Sequence, residues 1–115
     1  MSKRFLLILA LVATLALLHP DRIGRAGVLS GFLPADAEPL VSSQPLRGKP
    51  FFVAHGTHDR TVPIEIGRRS VQLLEQAGAD VTYCEDEVGH KLSAGCMRAL
   101  QGYFARPAVL TKPFV

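Results

Sequence analysis

Three absences in this 115-residue sequence restrict what it can be. It contains no tryptophan, and its two cysteines, Cys84 and Cys96, lack a CxxC spacing and are too few for a disulfide framework. We interpret them as two reduced, partly buried thiols, with a single bridge as the alternative. The 13 Lys and Arg residues form no run longer than a pair, whereas a nucleic-acid surface has a clustered basic stripe. No nucleic-acid partner is therefore expected.

Long hydrophobic runs are also lacking. The longest, from Phe5 to Leu18, is shorter than the ~20 residues of a transmembrane helix, so no stable membrane span is expected. Two basic residues precede this run, as in a secretory signal, but no clear Ala-x-Ala cleavage site follows it. Because His19-Pro20 would end a helix, we interpret residues 1–20 as a buried apolar helix of a cytoplasmic protein. A signal peptide of an exported chain is the main alternative, and a membrane anchor is the second.

What the sequence does contain is a series of short apolar runs and helical periods. "RAGVLSGFLP" and "PFFVAH" are typical of buried strands, and "DVTYCEDEV" alternates like a strand nearer a sheet edge. Residues 35–49 form a connecting loop, rich in Pro, Ser and Gly. A helix is predicted from Pro63 to a terminating Gly78. Ser93 is a predicted N-cap for a last helix, whose predicted buried stripe is Met97, Leu100 and Phe104.

This order of elements predicts an α/β fold with three parallel strands and flanking helices, because strand–helix–strand connections are nearly always right-handed crossovers between parallel strands. The main unit is expected to be residues 21–106, with residues 107–115 as a tail. Three strands make a small sheet with an exposed apolar edge, and that edge could support self-association.

Two residues with side chains suited to catalysis follow successive predicted strands. Asp59 lies in "HGTHDRTVP" after the second strand, and His90 lies in "VGHKLS" after the third. The carboxyl ends of parallel strands share one rim of the sheet, where ligands bind. An Asp that orients a His, with the His as general base, is part of a nucleophilic triad. Asp59 and His90 are therefore the candidate catalytic pair, and Gly89 is expected to permit the tight turn that presents His90.

A metal site is the alternative reading of the same loops. Four nitrogen or oxygen donors could bind zinc, and the candidates would be His55, His58, Asp59 and His90. His55 and His58 would converge only if their loop turned sharply, and no HxH pair strengthens the case. We therefore favour His55 as a strand-end residue bonded to a neighbouring loop and His58 as an exposed residue, and we expect no metal or other cofactor.

Three segments together resemble the C-terminal half of the phospholipase, carboxylesterase and acyl-protein thioesterase group of α/β-hydrolases. They are "LLHPDRIGRAGVLSGFLP", "GKPFFVAHGTHDRTVPIEIGRRSVQLLEQAGADVTY" and "VGHKLSAGCMRALQGYF". The resemblance implies that Asp59 is the triad acid and His90 the triad base, and that Ser30 lies near the active-site rim without being the nucleophile. In this family a GxSxG-type elbow carries the nucleophilic serine. Aligning that pattern here places Leu7 at the serine position, and no serine of the chain lies in such a context.

The sequence therefore predicts a truncated or degenerate serine hydrolase that is inactive alone. Full-length relatives would hydrolyse small-molecule carboxylic esters or thioesters through Ser, Asp and His. A small secreted or membrane-tethered binding protein that retains the hydrolase sheet is the alternative. A third possibility is that another chain supplies the missing strands and the serine.

Overall fold

The structure, a computed structural model, describes residues 3–105, and the predicted tail of residues 107–115 lies outside them. The elements are α1 (Lys3–Leu18), β1 (Ala26–Leu29), β2 (Pro50–Gly56), α2 (Ile64–Gln76), β3 (Asp80–Asp86) and α3 (Ala94–Ala105). Short 3₁₀ helices at Pro20–Arg22 and Ala35–Leu40 add to this series. The predicted order of helices and strands is confirmed, and the segment predicted as a plain loop contains the second 3₁₀ helix.

The three strands form one parallel sheet in the order β1-β2-β3. In the central strand β2, every residue after Pro50 is buried, because both its edges are paired and both its faces are covered. The outer strand β3 is only partly buried, as expected for a strand near the edge. This arrangement confirms the predicted α/β fold.

Successive residues of β2 point into two separate cores. Phe51 and Val53 pack with residues of α1 and α2 on one face of the sheet, and Phe52 and Ala54 pack with α3 on the other. This division follows from the two-residue period of a strand. The sheet is thus covered by α1 and α2 on one side and by α3 on the other, leaving its carboxyl-end rim open for loops.

Between residues 11 and 18, the first helix packs against the sheet through two alanines and a leucine. Ala13, Ala16 and Leu17 are buried, and α1 ends at Leu18, before His19-Pro20, as predicted. Its other side carries large apolar residues that are 42–54% exposed: Leu11, Val12, Leu15 and Leu18. Over residues 11–18, one face of α1 is therefore buried and the other is exposed. Within residues 3–105, no helix combines the length and the apolar character needed to cross a bilayer.

Of the buried stripe predicted for α3, Leu100 is partly buried and packs against the core, but Met97 and Phe104 do not. Met97 and Phe104 are 42% and 45% exposed, whereas Cys96 and Tyr103 face the sheet and are buried. Ser93 caps the helix as predicted, because its Oγ accepts a hydrogen bond from the Cys96 N–H at 3.0 Å. The helix is rotated by about one residue relative to the predicted stripe, which brings Cys96 over β3.

The two cysteines form a disulfide bond, so the prediction of reduced thiols is wrong. Cys84 lies on β3 and Cys96 on α3, and packing of the helix on the sheet brings their Cα atoms to 5.8 Å. That separation lies within the range that a disulfide spans. The bond closes the loop that carries His90.

The cytoplasmic location of the protein stays a prediction.

Candidate active site

Asp59 is held in place by the backbone that follows it. It lies in the loop between β2 and α2, and its side chain is fully buried. Its Oδ1 accepts hydrogen bonds from the N–H groups of Thr61 and Val62, both at 2.8 Å. An Asp that bonds backbone two and three residues ahead is a common turn-former. Here the turn also fixes the direction of the second carboxylate oxygen.

The surroundings of Asp59 keep its carboxylate ionised. Burial acts to raise the pKa of Asp59, but hydrogen bonds from the Val62 N–H, from His90 and from the Thr61 N–H together outweigh it, so the pKa lies below its ordinary value. A carboxylate that stays charged at neutral pH only accepts hydrogen bonds. It can therefore orient an imidazole and stabilise its cation.

His90 meets the second oxygen of Asp59, as predicted. It lies between β3 and α3, its side chain is 28% exposed, and its Nδ1 is 2.8 Å from Asp59 Oδ2. Because the carboxylate only accepts, Nδ1 carries the proton, and in the neutral imidazole Nε2 then carries the lone pair. This is the tautomer that a general base requires in a triad.

The backbone fixes the two loops to each other. The Thr57 N–H donates to Asp86 O at 2.8 Å, and the His58 N–H donates to Val88 O at 3.0 Å. A Cβ atom on Gly56 would overlap the carbonyl oxygens of Val88 and Gly89, so only glycine allows this approach. The loops of Asp59 and His90 are thus joined by main chain as well as by these two side chains.

Gly89 does not have the role that the sequence suggested. It is not among the residues with positive φ, and a Cβ added to it would meet only His58 O, at 3.9 Å. The turn that presents His90 therefore does not require a glycine at position 89. Gly56, at the end of β2, is the glycine that this site depends on, and the prediction missed it because the clash involves a loop distant in sequence.

The other candidate residues are placed as follows. His55 is buried at the end of β2 and bonded to the neighbouring loop, as predicted, and His58 is exposed. Ser30 lies at the rim, buried, with a φ of 56°, and its N–H donates to Ala54 O at 2.9 Å. In the part of the chain that the structure describes, no three His, Cys, Asp or Glu side chains are grouped so as to hold a metal ion.

A small apolar cavity lies beside the loop that carries Asp59. Its volume is about 70 Å³, and its lining comes from the segment after β1, from the loop that carries Asp59 and from the first turn of α2: Phe32, Thr61, Val62, Pro63 and Ile66. Thr61 and Val62 therefore contribute to both features: their N–H groups donate to the Asp59 carboxylate, and other atoms of the same residues line the cavity. An apolar group bound there would lie next to the acid's loop.

Relatives of known family share this arrangement of strands and helices. The carboxylesterase SOBER1 of Arabidopsis thaliana is 30% identical over 100 residues, which are 84% of this chain and 43% of that protein. Its crystal structure superimposes with a TM-score of 0.72 at 28% identity, covering 85% of this chain and 48% of that one. The chain is therefore similar to one part of a carboxylesterase- or thioesterase-type α/β-hydrolase. No protein-family model matches the sequence.

Two further relatives match shorter stretches of the chain. Acyl-protein thioesterase 1 of Emericella nidulans is 48% identical over 40 residues, covering 34% of this chain and 17% of that protein. A probable inactive carboxylesterase of Oryza sativa subsp. japonica is 32% identical over 78 residues, covering 66% of this chain and 32% of that protein. The chain thus spans less than half the length of the curated relatives it matches.

Proposed function

We propose that this chain supplies the acid and the base for serine-dependent hydrolysis of small-molecule carboxylic esters or thioesters. The observation that carries the proposal is the 2.8 Å contact of His90 Nδ1 with Asp59 Oδ2. The two backbone N–H groups on Asp59 Oδ1 support it, since they fix the carboxylate for that contact. The names of the carboxylesterase and thioesterase relatives support the class of substrate. The apolar cavity beside Asp59 suits the acyl part of such a substrate.

In the proposed mechanism, the nucleophilic serine comes from residues that are not part of this sequence. His90 Nε2 takes the proton of the serine hydroxyl as the oxygen attacks the carbonyl carbon. The imidazolium, stabilised by Asp59, then gives that proton to the leaving alcohol or thiol, and an acyl-serine remains. Water, deprotonated by the same imidazole, releases the carboxylic acid and restores the serine. Leu7 stands where the family pattern would place the serine, and it has no nucleophilic group.

The isolated 115-residue chain is expected to show no serine-dependent esterase activity. Without an activated serine and its oxyanion-hole donors, the acid and base have no nucleophile to activate. Turnover of p-nitrophenyl acetate and of a thioester should equal that of the His90→Gln variant. Turnover that exceeds this variant and is abolished by a serine-directed fluorophosphonate would overturn the proposal, because a serine of this chain would then be the nucleophile.

We further propose that the chain self-associates through the β1 edge. In the described residues β1 pairs with β2 alone, and Leu29 at its end is 42% exposed. An unpaired edge next to exposed apolar side chains of α1 is a template for another strand. Sedimentation velocity should show dimers that Leu29→Lys dissociates. The matched change Leu40→Lys, at a residue 40% exposed in a 3₁₀ helix, should leave them intact. A wild-type chain that stays monomeric at every concentration would contradict the proposal.

A further inference from the structure

His55 connects the end of the central strand to the loop that carries the acid. Its side chain is fully buried, and its Nε2 is 2.7 Å from the carbonyl oxygen of Val62. The same nitrogen is 3.5 Å from Asp59 Oδ2. Because a carbonyl oxygen only accepts, Nε2 must be the protonated ring nitrogen. His55 therefore donates a hydrogen bond to the residue whose own N–H binds the carboxylate.

The helix α2 holds this imidazole from the other side. A Cβ atom on Gly67 would lie 2.7 Å from His55 Nδ1, so the backbone of α2 packs directly against the ring. Within the described residues, Nδ1 is buried without a hydrogen-bond partner. Buried polar atoms of this kind are uncommon, and each calls for a reason. Here Nδ1 of His55 makes no hydrogen bond, whereas Nε2 makes a short contact with Val62 O in the loop.

We propose that His55 is a positioning residue, which holds Val62 and, through Val62, orients Asp59 toward His90. The proposal deepens the proposed function, since it concerns the same acid and base. The sequence of contacts runs from His55 Nε2 to Val62 O, from the Val62 N–H to Asp59 Oδ1, and from Asp59 Oδ2 to His90 Nδ1. Each link is between 2.7 and 2.8 Å.

His55 approaches Val62 more closely than it approaches the carboxylate itself. The contact with Val62 O is 0.8 Å shorter than the contact with Asp59 Oδ2 (3.5 minus 2.7 Å). Burial is the largest influence on the pKa of Asp59, and it raises that pKa. Among the influences that lower the pKa, the hydrogen bond from the Val62 N–H is the largest. A loop residue clamped on its carbonyl side by His55 can keep its N–H directed at the carboxylate. Without that clamp, we expect Val62 to be less restricted and its N–H to be less well directed at the carboxylate.

Two substitutions of nearly equal shape test this role. Gln places an amide N–H where the imidazole has Nε2–H, and Met fills similar space with no donor. In His55→Met, the Nδ1–H proton of His90 is expected to exchange with water about tenfold faster than in wild type, as for loss of one hydrogen bond. In His55→Gln the exchange should stay within about threefold of wild type. Proton NMR follows this signal, which His90→Gln assigns by removing it.

The control is His58→Gln, which changes an exposed histidine of the same loop and should leave the His90 signal unchanged. Equal exchange in the Gln and Met variants would overturn the proposal, because the role of His55 would then be packing alone. Loss of the signal in both, with backbone amide spectra that remain native, would overturn it as well.

A measurement on the unmutated chain covers the case in which neither variant folds. The ring ¹⁵N shifts of His55 report its tautomer. The proposal requires the proton on Nε2, and a proton on Nδ1 with a lone pair at Nε2 would overturn it, because a lone pair cannot donate to Val62 O. Neither NMR measurement needs turnover. Serine-dependent activity in the isolated chain would therefore refute the proposed function while leaving the role of His55 to be decided by these signals.

Discussion

Replacing Asp59 with asparagine is expected to lower kcat about 10⁴-fold in a hydrolase completed around this chain. The two N–H donors of Thr61 and Val62 require an acceptor at the Oδ1 position, so they fix the orientation of the new amide. Its NH₂ group then faces His90 Nδ1, at the place where Oδ2 stood. The imidazole must accept there, which moves its proton to Nε2 and removes the lone pair that takes the serine proton.

A chimera provides the completed enzyme. In it, residues 9–105 of this chain replace the matching segment of Arabidopsis thaliana SOBER1. The position aligned with Leu7, where the family pattern places the serine, and the rest of the fold then come from that protein. The measurement is kcat for p-nitrophenyl acetate in the chimera and in its Asp59→Asn and His90→Gln variants, which should lose activity to a similar extent. Glu65→Gln removes an exposed carboxylate from the first turn of α2 and should leave kcat within about twofold.

Retention of more than a tenth of kcat in the Asp59→Asn chimera would contradict the triad assignment. The isolated chain offers a second measurement that does not depend on the chimera being active. Its His90 should carry the proton on Nδ1 in the wild type and on Nε2 in Asp59→Asn, and ¹⁵N shifts distinguish the two. An unchanged tautomer would show that the carboxylate does not set the state of the base.

Much of this fold could be predicted because it depends on local patterns. The apolar run in β2 and the helical spacing in α2 each specify an element without reference to the rest of the chain. The meeting of Asp59 and His90 also follows from sequence, since successive parallel strands end on one rim. What was needed there was only the order and direction of the strands, and β–α–β connections constrain both.

The features that could not be predicted depend on how elements are aligned with one another. Cys84 and Cys96 are joined because α3 lies on β3 with a particular rotation about its own axis. The sequence pattern predicted a different rotation, because it assigned the apolar residues Met97 and Phe104 to the buried face. On a short helix near a sheet edge, large apolar side chains can remain exposed, so size alone did not identify the packed face. The sequence predicted that His55 bonds a neighbouring loop, but the identity of the acceptor, Val62 O, depends on a loop conformation that no periodicity encodes.

Gly56→Ala is expected to destabilise the fold by about 2–3 kcal/mol and to separate His90 from Asp59. The new Cβ would lie 2.8 Å from the carbonyl carbon of Val88 and would overlap the carbonyl oxygens of Val88 and Gly89. These are backbone atoms, so no side-chain rotation relieves the clash, and the loop that carries His90 must move. Urea unfolding measures the loss of stability, and the His90 Nδ1–H signal reports the broken contact.

Gly89→Ala is the matched control, because it adds the same methyl group to the other side of this contact. There the Cβ would find only His58 O, at 3.9 Å, and the φ of Gly89 is not positive, so the change should fall within about 0.5 kcal/mol of wild type. If the two variants were equally stable, the close approach of β2 to the His90 loop would not constrain the site. If Gly56→Ala were destabilised but kept the His90 signal, the loop would be able to move without carrying the base away from the acid, and the main chain would not be what holds the pair together.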